Sequence, residues 1–184
     1  MTTDIELWEL IINDDKAAFE QLYHRYYTPL LGYALRMQFE EETIKDCIQD
    51  LFVKLYTSRH QLPSLRSVKP YLYKSLSNAL FDKAKSIRNN TVSTDELMDL
   101  SIEDEGLLIL FKENDEELHK AHLLKNALKQ LSIKQKKALY FRFIQEFTWQ
   151  EMATLFEMSE HSCMNLVGRS IANLRIFIEK SSFE

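Results

Sequence analysis

The segment over residues 148–169 has the pattern of two helices joined by a tight turn. Thr148 is followed three residues later by Glu151, a capping-box pattern that predicts the start of a helix. Ser159 suits the cap of a second helix, which continues to about Lys180. Two helices in this order form a helix-turn-helix, which presents one helix to the DNA major groove. The segment therefore predicts local helical structure and a DNA ligand.

The rest of the chain also has helical patterns. Only three Gly and three Pro occur among 184 residues, and no stretch alternates strictly between polar and apolar residues as a half-buried strand does. Capping patterns also begin at Thr3 and Ser132, and the clearest amphipathic helix spans 42–58. Pro29 falls within a further helical pattern and is expected to kink or restart that helix. The predicted fold class is all-α.

Charge is distributed unevenly along the chain. The net charge of the whole chain is −5, which is unusual for a nucleic-acid binder. Residues 60–90, however, have a net charge of +5 and residues 119–184 one of +4, whereas residues 91–118 have one of −9. Two basic zones that could contact phosphate are therefore separated by an acidic stretch.

These patterns predict two small helical domains and a connector. Residues 1–90 form the first domain, residues 91–114 an acidic linker, and residues 115–184 the second domain, which contains the helix-turn-helix. The apolar cluster at 107–111 is too apolar for a fully solvated tether. It is expected to pack on a domain or on a partner.

Enzymatic and metal-dependent functions have no support in the sequence. No Gly-rich phosphate loop, nucleophile elbow or zinc-protease motif occurs. His119 and His122 are three residues apart on a predicted helix, but no Cys or carboxylate completes a ligand set, so two surface histidines are favoured. We expect no enzyme activity, no cofactor and no metal.

The cysteines and the hydropathy pattern predict a cytoplasmic protein. Cys47 and Cys163 lie inside helical patterns without CxxC spacing, which is typical of reduced thiols in or near a core. No apolar run is long enough to span a membrane, and no basic-then-apolar leader is present. We expect a soluble protein without membrane insertion.

Four blocks of sequence, in this order, are similar to bacterial RNA polymerase sigma factors of the extracytoplasmic-function type. The first, 14–34, contains Ala-Phe-Glu-Gln-Leu-Tyr and Tyr-Tyr-x-Pro-Leu-Leu; the second, 46–56, begins Asp-Cys-Ile-Gln-Asp-Leu-Phe. The third, 70–82, begins Pro-Tyr-Leu-Tyr-Lys-Ser-Leu, and the fourth spans 131–175. The resemblance covers nearly the whole chain. It implies an alternative sigma factor that binds core RNA polymerase and directs promoter recognition and transcription initiation.

The resemblance also implies roles for particular residues. Contacts to the −10 promoter element would come from Arg66, Ser67, Lys69, Tyr71, Lys74, Asn78, Lys83 and Lys85, with Arg88 as a further phosphate contact. Either Tyr71 or Tyr73 would stack on a base, although both also suit a core. The −35 element would be read by His161, Ser162, Asn165 and Arg169. Core polymerase would be bound through Asp46, Gln49, Asp50 and Lys54.

The implied partners are core RNA polymerase, promoter DNA and an anti-sigma factor. The first domain would dock on the polymerase clamp, the second on the flap, and the linker would run near the active-site channel. For each predicted surface the alternative is ordinary solvated charge, and a helix-turn-helix without DNA contact also stays open.

The sequence departs from the family pattern at several positions. The family often has Trp where Tyr71 stands, and Gly where Glu146 and Glu157 stand. In the second helix of the helix-turn-helix, Met164, Leu166 and Gly168 replace bases that are common in the family. Its Asn-Leu-aliphatic-x-Arg pattern resembles variants from Bacteroidetes-type bacteria.

Two other classes of protein remain open from the sequence. A stand-alone helix-turn-helix regulator would dimerise and bind a paired DNA site unaided. A helical adaptor would have no role at DNA at all.

Overall fold

The computed structural model describes residues 2–37, 39–87 and 115–181. The chain divides into two compact units, Met1–Met98 and Asp99–Glu184. Every regular element in the described residues is helical, which confirms the predicted all-α class. The predicted acidic linker and its apolar cluster lie outside the described residues. None of the helices in the described ranges is long and apolar enough to cross a membrane.

The first unit contains four α-helices and one short turn of 3-10 helix. The α-helices are α1 (Asp4–Ile12), α2 (Lys16–Leu35), α3 (Glu41–Thr57) and α4 (Val68–Ile87), and the 3-10 turn is Arg59–Gln61. Helix α1 packs on α2, α2 on α3, and α3 on α4. Less extensive contacts join α1 to α4, α1 to the 3-10 turn, and α2 to α4. This order of packing leaves one side of α3 and one side of α4 exposed.

Side-chain caps begin the first two helices. The Thr3 hydroxyl accepts a hydrogen bond from the Glu6 amide at 3.3 Å, and the Glu6 carboxylate accepts one from the Thr3 amide at 2.6 Å. The bonds that the Glu6 carboxylate receives from Thr3 lower the pKa of Glu6 below its ordinary value. Asp15 caps α2 by accepting a hydrogen bond from the Ala18 amide at 2.9 Å. The predicted start of α1 after Thr3 is confirmed.

Pro29 does not restart α2, so that part of the prediction is wrong. The helix is continuous from Lys16 to Leu35 with Pro29 inside it. Proline removes one amide donor from the helix, but Pro29 faces solvent, where water can solvate the carbonyl that loses its partner. Leu30 and Tyr33 are buried, and they hold the second half of the helix against the core.

The core of the first unit is formed by apolar side chains from all four α-helices. Its largest fully buried members are Leu7, Trp8, Ile11, Leu22, Leu30, Tyr33, Ile44, Ile48, Phe52 and Tyr73. Cys47 is buried among them, as predicted. Burial raises the pKa of the Cys47 thiol, and nearby Lys83 partly opposes that rise. The thiol therefore stays protonated at neutral pH and acts as a small apolar group.

The second unit contains α5 (Asp115–Lys129), α6 (Ile133–Leu139), a π-helical segment (Tyr140–Ile144), α7 (Trp149–Phe156) and α8 (Glu160–Ser181). Helix α8 packs on α5, α6 and α7. Helices α7 and α8 form the predicted helix-turn-helix. The long α8 is therefore both the central packing element of this unit and the helix that would face DNA.

Three predicted caps in the second unit are confirmed. Ser132 forms a capping box with Gln135, and Thr148 forms one with Glu151. The Ser159 hydroxyl accepts a hydrogen bond from the Ser162 amide at 3.1 Å at the start of α8. Sequence patterns that act over three residues were thus sufficient to place these helix starts.

The helix that begins after Ser132 does not remain α-helical throughout. It changes to π-helical geometry after Leu139, and the Phe147 amide donates to the Phe141 carbonyl at 2.9 Å. Phe147 follows the π-helical segment, and its ring packs on that of Phe141, with centroids 4.9 Å apart; both rings are buried. The end of this helix therefore lies where two buried aromatic rings meet in the core.

Two glutamates adopt left-handed backbone conformations. The φ angle is 53° at Glu146 and 54° at Glu157, the two positions at which the resembled family often has Gly. Glu157 ends α7, and the next amide, that of Met158, donates to the Ala153 carbonyl at 3.1 Å. A side chain in this conformation costs about 1–2 kcal/mol, so the turn of the helix-turn-helix is kept despite local strain.

Candidate nucleic-acid interface

The exposed side of α3 brings together all four residues predicted to bind polymerase. Asp46, Gln49, Asp50 and Lys54 are exposed, and their spacing of three and four residues places them on one face of the helix. Val53 lies in the same stripe and is 52% exposed. Val53 was not predicted from the sequence, because the apolar spacing of α3 marks only the buried face. The surface is thus acidic with an apolar centre.

A groove of about 600 Å³ lies between α3, α4 and the connection between them. Helix α3 contributes Asp50, Leu51, Lys54 and Leu55; the connection contributes Ser58, Gln61, Leu62 and Pro63; α4 contributes Tyr71, Ser75, Asn78, Ala79 and Asp82. Asn78 and Tyr71, both predicted to contact the −10 element, line the same groove as Asp50 and Lys54. The two predicted surfaces are therefore adjacent, and they share residues of α3.

The charges of the groove favour a neutral ligand over a phosphate. Asp50 and Asp82 contribute two carboxylates to its lining, and Lys54 contributes the one cation among the lining residues. Asn78 is exposed and offers an amide donor and an amide acceptor. Such a lining suits the edge of an unstacked base, while phosphate contacts must come from cations outside the groove.

The two tyrosines proposed as stacking partners differ in position. Tyr71 is half-buried, and its ring meets that of Trp8 edge to face, with centroids 5.2 Å apart. Tyr73 is 0% exposed, and its ring packs on that of Tyr33 with centroids 5.2 Å apart. The suggestion that Tyr73 stacks on a base is therefore wrong, because no ligand can reach its ring. Tyr71 is the tyrosine that remains open to the groove.

The predicted basic residues do not all lie on one face of α4. Lys74, Asn78 and Lys85 share a side of the helix by spacing, and Lys85 is exposed. Lys83 is exposed on another side, toward Cys47 of α3.

The remaining −10 candidates lie before α4 or at its start. Arg66 is exposed, and Ser67 and Lys69 are half-exposed. Arg88 lies outside the described residues. The basic residues of the first unit therefore do not form a single stripe.

In the second unit, α8 presents a narrow polar stripe. His161, Asn165 and Arg169 are exposed at intervals of four residues, and the Arg169 Nε donates to the Asn165 carbonyl at 3.3 Å. Ser162 does not join this stripe, because its hydroxyl pairs with that of Ser159 at 2.9 Å. Three of the four predicted −35 residues are therefore on one face.

Met164 and Gly168 are also exposed on α8, beside the polar stripe. Met164 is 41% exposed, and a Cβ added to Gly168 would meet no atom within 4 Å. The opposite face is buried through Cys163 and Val167, and burial raises the pKa of the Cys163 thiol. The missing side chain at Gly168 therefore leaves open space on the stripe between Asn165 and the end of the helix.

Arg142 supports the helix-turn-helix from within. Its guanidinium donates to the Phe147 carbonyl at 2.7 Å and lies 4.5 Å from the centroid of the Trp149 ring. This arrangement holds the first residue of α7 against the preceding segment. Its role is thus structural, and Arg142 adds no positive charge to the exposed stripe of α8.

Two exposed apolar residues within the π-helical segment were not predicted from the sequence. Phe143 is 57% exposed and Ile144 is 54% exposed. The only sequence signal was an apolar run, Tyr140 to Ile144, interrupted by Arg142. The π-helical geometry turns the end of this run outward, so the residues form an apolar patch on the second unit.

The described residues contain no group of three or more His, Cys, Asp or Glu that could hold a metal ion. His122 is exposed, and the side chain of His119 lies outside the description.

Two family descriptions match the chain. Sigma-70 region 2 matches residues 22–90, and Sigma-70 region 4 matches residues 121–174. The first match includes α3, the groove and α4, and the second includes the helix-turn-helix. Together the two matches cover more than half of the chain.

Curated relatives match along most of their lengths. The ECF RNA polymerase sigma factor SigX of Bacillus subtilis (strain 168) is 25% identical over 168 residues, which is 88% of this chain and 84% of the relative. The RNA polymerase sigma factor YlaC of the same organism is 24% identical over 170 residues, which is 91% of this chain and 95% of the relative.

Solved structures share the fold. CnrH, solved in complex with the cytosolic domain of CnrY, has a TM-score of 0.62 and 18% identity, with 96% of this chain and 97% of that chain covered. The sigma factor RpoE of Bartonella quintana, solved with the anti-sigma factor NepR, has a TM-score of 0.56 and 16% identity, with 88% of this chain and 96% of that chain covered.

Proposed function

We propose, from the premise that this chain belongs to the sigma-70 family and is of the extracytoplasmic-function type, that its two units divide promoter recognition between them. The chain is an alternative sigma factor that binds core RNA polymerase and directs transcription initiation. The observation that carries this conclusion is the presence of region 2 and region 4 in one chain, in that order.

Residues 1–90 act as the −10 and polymerase-binding domain, residues 115–184 as the −35 domain, and residues 91–114 as the linker. The family matches at 22–90 and 121–174 support this division. The polarity of the two candidate surfaces supports it further, because the groove suits a base and the α8 stripe suits duplex DNA.

The groove of the first unit receives a base of the opened −10 element. Asn78 bonds the edge of the base, and Tyr71 supplies a flat apolar wall beside it. Phosphates on either side of the base are held by the surrounding cations, chiefly Arg66, Lys74 and Lys85. The base sequence of the −10 element is thus recognised inside the groove, and the phosphate contacts outside it fix the position of the DNA strand.

The exposed face of α3 binds core polymerase. Asp46, Asp50 and Gln49 require a partner with positive and polar groups, and Val53 adds an apolar contact at the centre. A rim of charge around an apolar centre is the usual anatomy of a protein interface. The partner surface, the polymerase clamp, is accordingly basic and partly apolar.

The second unit binds the −35 element through α8 and polymerase through its apolar patch. His161 and Asn165 contact base edges, and Arg169 contacts a phosphate or guanine. Phe143 and Ile144 are the apolar contact for the polymerase flap. They form an exposed apolar patch, and such patches bind protein partners rather than DNA.

Between rounds of transcription the chain is held by an anti-sigma factor. The fold neighbour RpoE was solved with the anti-sigma factor NepR, and CnrH with the cytosolic domain of CnrY. The protein is not an enzyme and acts in the cytoplasm, where polymerase and the chromosome are found.

The experiment that tests the function adds the protein to core polymerase that lacks any sigma factor, with fragments of the source genome as templates. Transcripts that begin at discrete promoters are expected. The absence of promoter-dependent transcripts on every fragment would contradict the proposal. Tight binding of a dimer to a paired DNA site without polymerase would favour a stand-alone regulator instead.

A further inference from the structure

The connection between α3 and α4 is attached to α1 by Trp8. The indole Nε1 of Trp8 donates a hydrogen bond to the Pro63 carbonyl oxygen at 3.0 Å. The same ring meets the ring of Tyr71 at an interplanar angle of 71°. Pro63 and Tyr71 line the groove from different elements. The Trp8 side chain, which is 1% exposed, therefore contacts two residues of the groove lining, Pro63 and Tyr71, from the side of the core.

A second attachment starts from the turn after α1. The Asp14 carboxylate pairs with Arg59, and one of its oxygens lies 3.4 Å from Nε2 of His60. Arg59 also donates from Nη1 to the Tyr56 carbonyl at 2.7 Å, with its guanidinium 4.6 Å from the centroid of the Tyr56 ring. The first residues of the connection are thus fixed to both α3 and the α1–α2 turn.

Helix α1 is itself held firmly by the rest of the unit. Leu7 and Ile11 are each 1% exposed, and Asp4 bonds both Arg25 and Tyr26 of α2. Yet α1 precedes the stretch that matches Sigma-70 region 2, which begins at residue 22. The buried face of a helix outside the matched region therefore contacts the connection and α4 beside the groove.

We propose that Trp8 is a positioning residue for −10 recognition, with Asp14 in a weaker supporting role. Trp8 touches no DNA; it holds Pro63 and Tyr71 so that the groove keeps one shape before the base arrives. A preformed site avoids the entropy cost of ordering its walls on binding, which improves affinity and discrimination. The inference rests on the proposed function, in which the groove receives a base of the −10 element.

The test uses Trp8→Phe in the full chain bound to core polymerase. Phenylalanine keeps a buried aromatic ring but lacks the N–H that bonds Pro63. The probe is a fluorescent single strand that carries the −10 sequence of a promoter selected by the unmutated holoenzyme, together with versions that have single-base substitutions. We expect the ratio of affinities for matched over substituted strands to fall about five-fold. Affinity for core polymerase is expected to stay unchanged.

A matched control separates positioning from general stability. Ile11→Val removes one methylene from the same helix and lowers stability, but neither side chain has a polar atom to bond the connection. It should lower the melting temperature without changing the affinity ratio. If Ile11→Val reduces the ratio as much as Trp8→Phe does, the role of Trp8 is only structural and the inference is overturned.

A second variant, Asp14→Asn, removes the charge of a carboxylate that is 55% exposed, so it should fold even if Trp8→Phe does not. It is expected to lower the ratio about two-fold, as for the loss of a surface ion pair. An unchanged ratio in every variant that folds overturns the inference. If the unmutated holoenzyme shows no preference among the strands, the proposed function of the groove fails instead.

Discussion

At the scale of single residues, Asn78 combines exposure with a site that suits its chemistry. It is exposed on α4 and lines the groove opposite Asp50 and Lys54. An exposed amide contributes little to folding, so its substitution tests recognition with small effects on stability. Its neighbour Tyr71 is less suited to such a test, because its ring also packs on Trp8.

Asn78→Ala is expected to reduce the rate of open-complex formation about ten-fold, since a side chain that bonds a base edge through two atoms contributes about 1–3 kcal/mol of discrimination. Permanganate reactivity of the −10 region measures opening, and competition binding measures association with core polymerase, which should not change. Ser86→Ala, an exposed change on α4 that does not line the groove, is the control. Loss of core binding in Asn78→Ala would instead give Asn78 a structural role.

At the scale of elements, the helix-turn-helix is defined by how its first helix ends. Glu157 has a φ of 54°, a conformation in which glycine is free of strain. The turn therefore depends on the packing of Met152, Cys163 and Val167, which are buried, rather than on a residue that prefers the turn. The left-handed backbone at Glu157 costs folding free energy, and replacing Glu157 with glycine can remove this cost.

Glu157→Gly is expected to raise the free energy of unfolding by about 0.5–1 kcal/mol, because the relief of left-handed strain exceeds the extra entropy of glycine in the unfolded chain. Thermal unfolding followed by circular dichroism measures the change. Ala172→Gly, which places the same residue in the helical interior of α8, should lower stability by about 1 kcal/mol. A fall in stability for both variants would show that the Glu157 side chain makes stabilising contacts.

The elements that could be predicted from sequence are those set by local interactions. Helix starts at Thr3, Ser132 and Thr148 depend on bonds across three residues, so their positions followed from the sequence. The continuity of α2 through Pro29 and the π-helical segment depend on which side chains the core buries, which is decided by distant residues. The same applies to the candidate site. Exposed polar residues of α3 and α8 were predicted, whereas the sequence left Tyr73 undecided between a core position and a stacking partner.

At the scale of the whole molecule, charge separates the candidate surfaces. The total net charge is −5, which opposes DNA binding by the free chain. The cations near the groove and the acidic face of α3 nevertheless suit opposite partners, promoter phosphates and polymerase. The distribution therefore favours DNA binding only after the acidic surface has been covered.

Asp50→Arg is expected to weaken association with core polymerase about ten-fold at low salt, because it reverses a charge on the docking face. The difference from the unmutated protein should shrink as salt rises, since salt screens exposed charges. Fluorescence anisotropy with labelled protein across a salt series measures both effects. Glu9→Arg makes the same change of net charge at an exposed position of α1 and should leave association unchanged. Equal weakening by both variants would indicate an effect of net charge alone.

Asp50 and Lys54 belong to the proposed docking face of α3 and also to the wall of the groove. Two ligands that share a wall are thermodynamically linked, and the linkage is reciprocal. Whatever factor polymerase adds to the affinity for a base, the captured base adds to the affinity for polymerase. If this factor is greater than one, binding of this sigma factor to polymerase is tightest at an opened promoter, and it weakens when the enzyme moves downstream and the base is released.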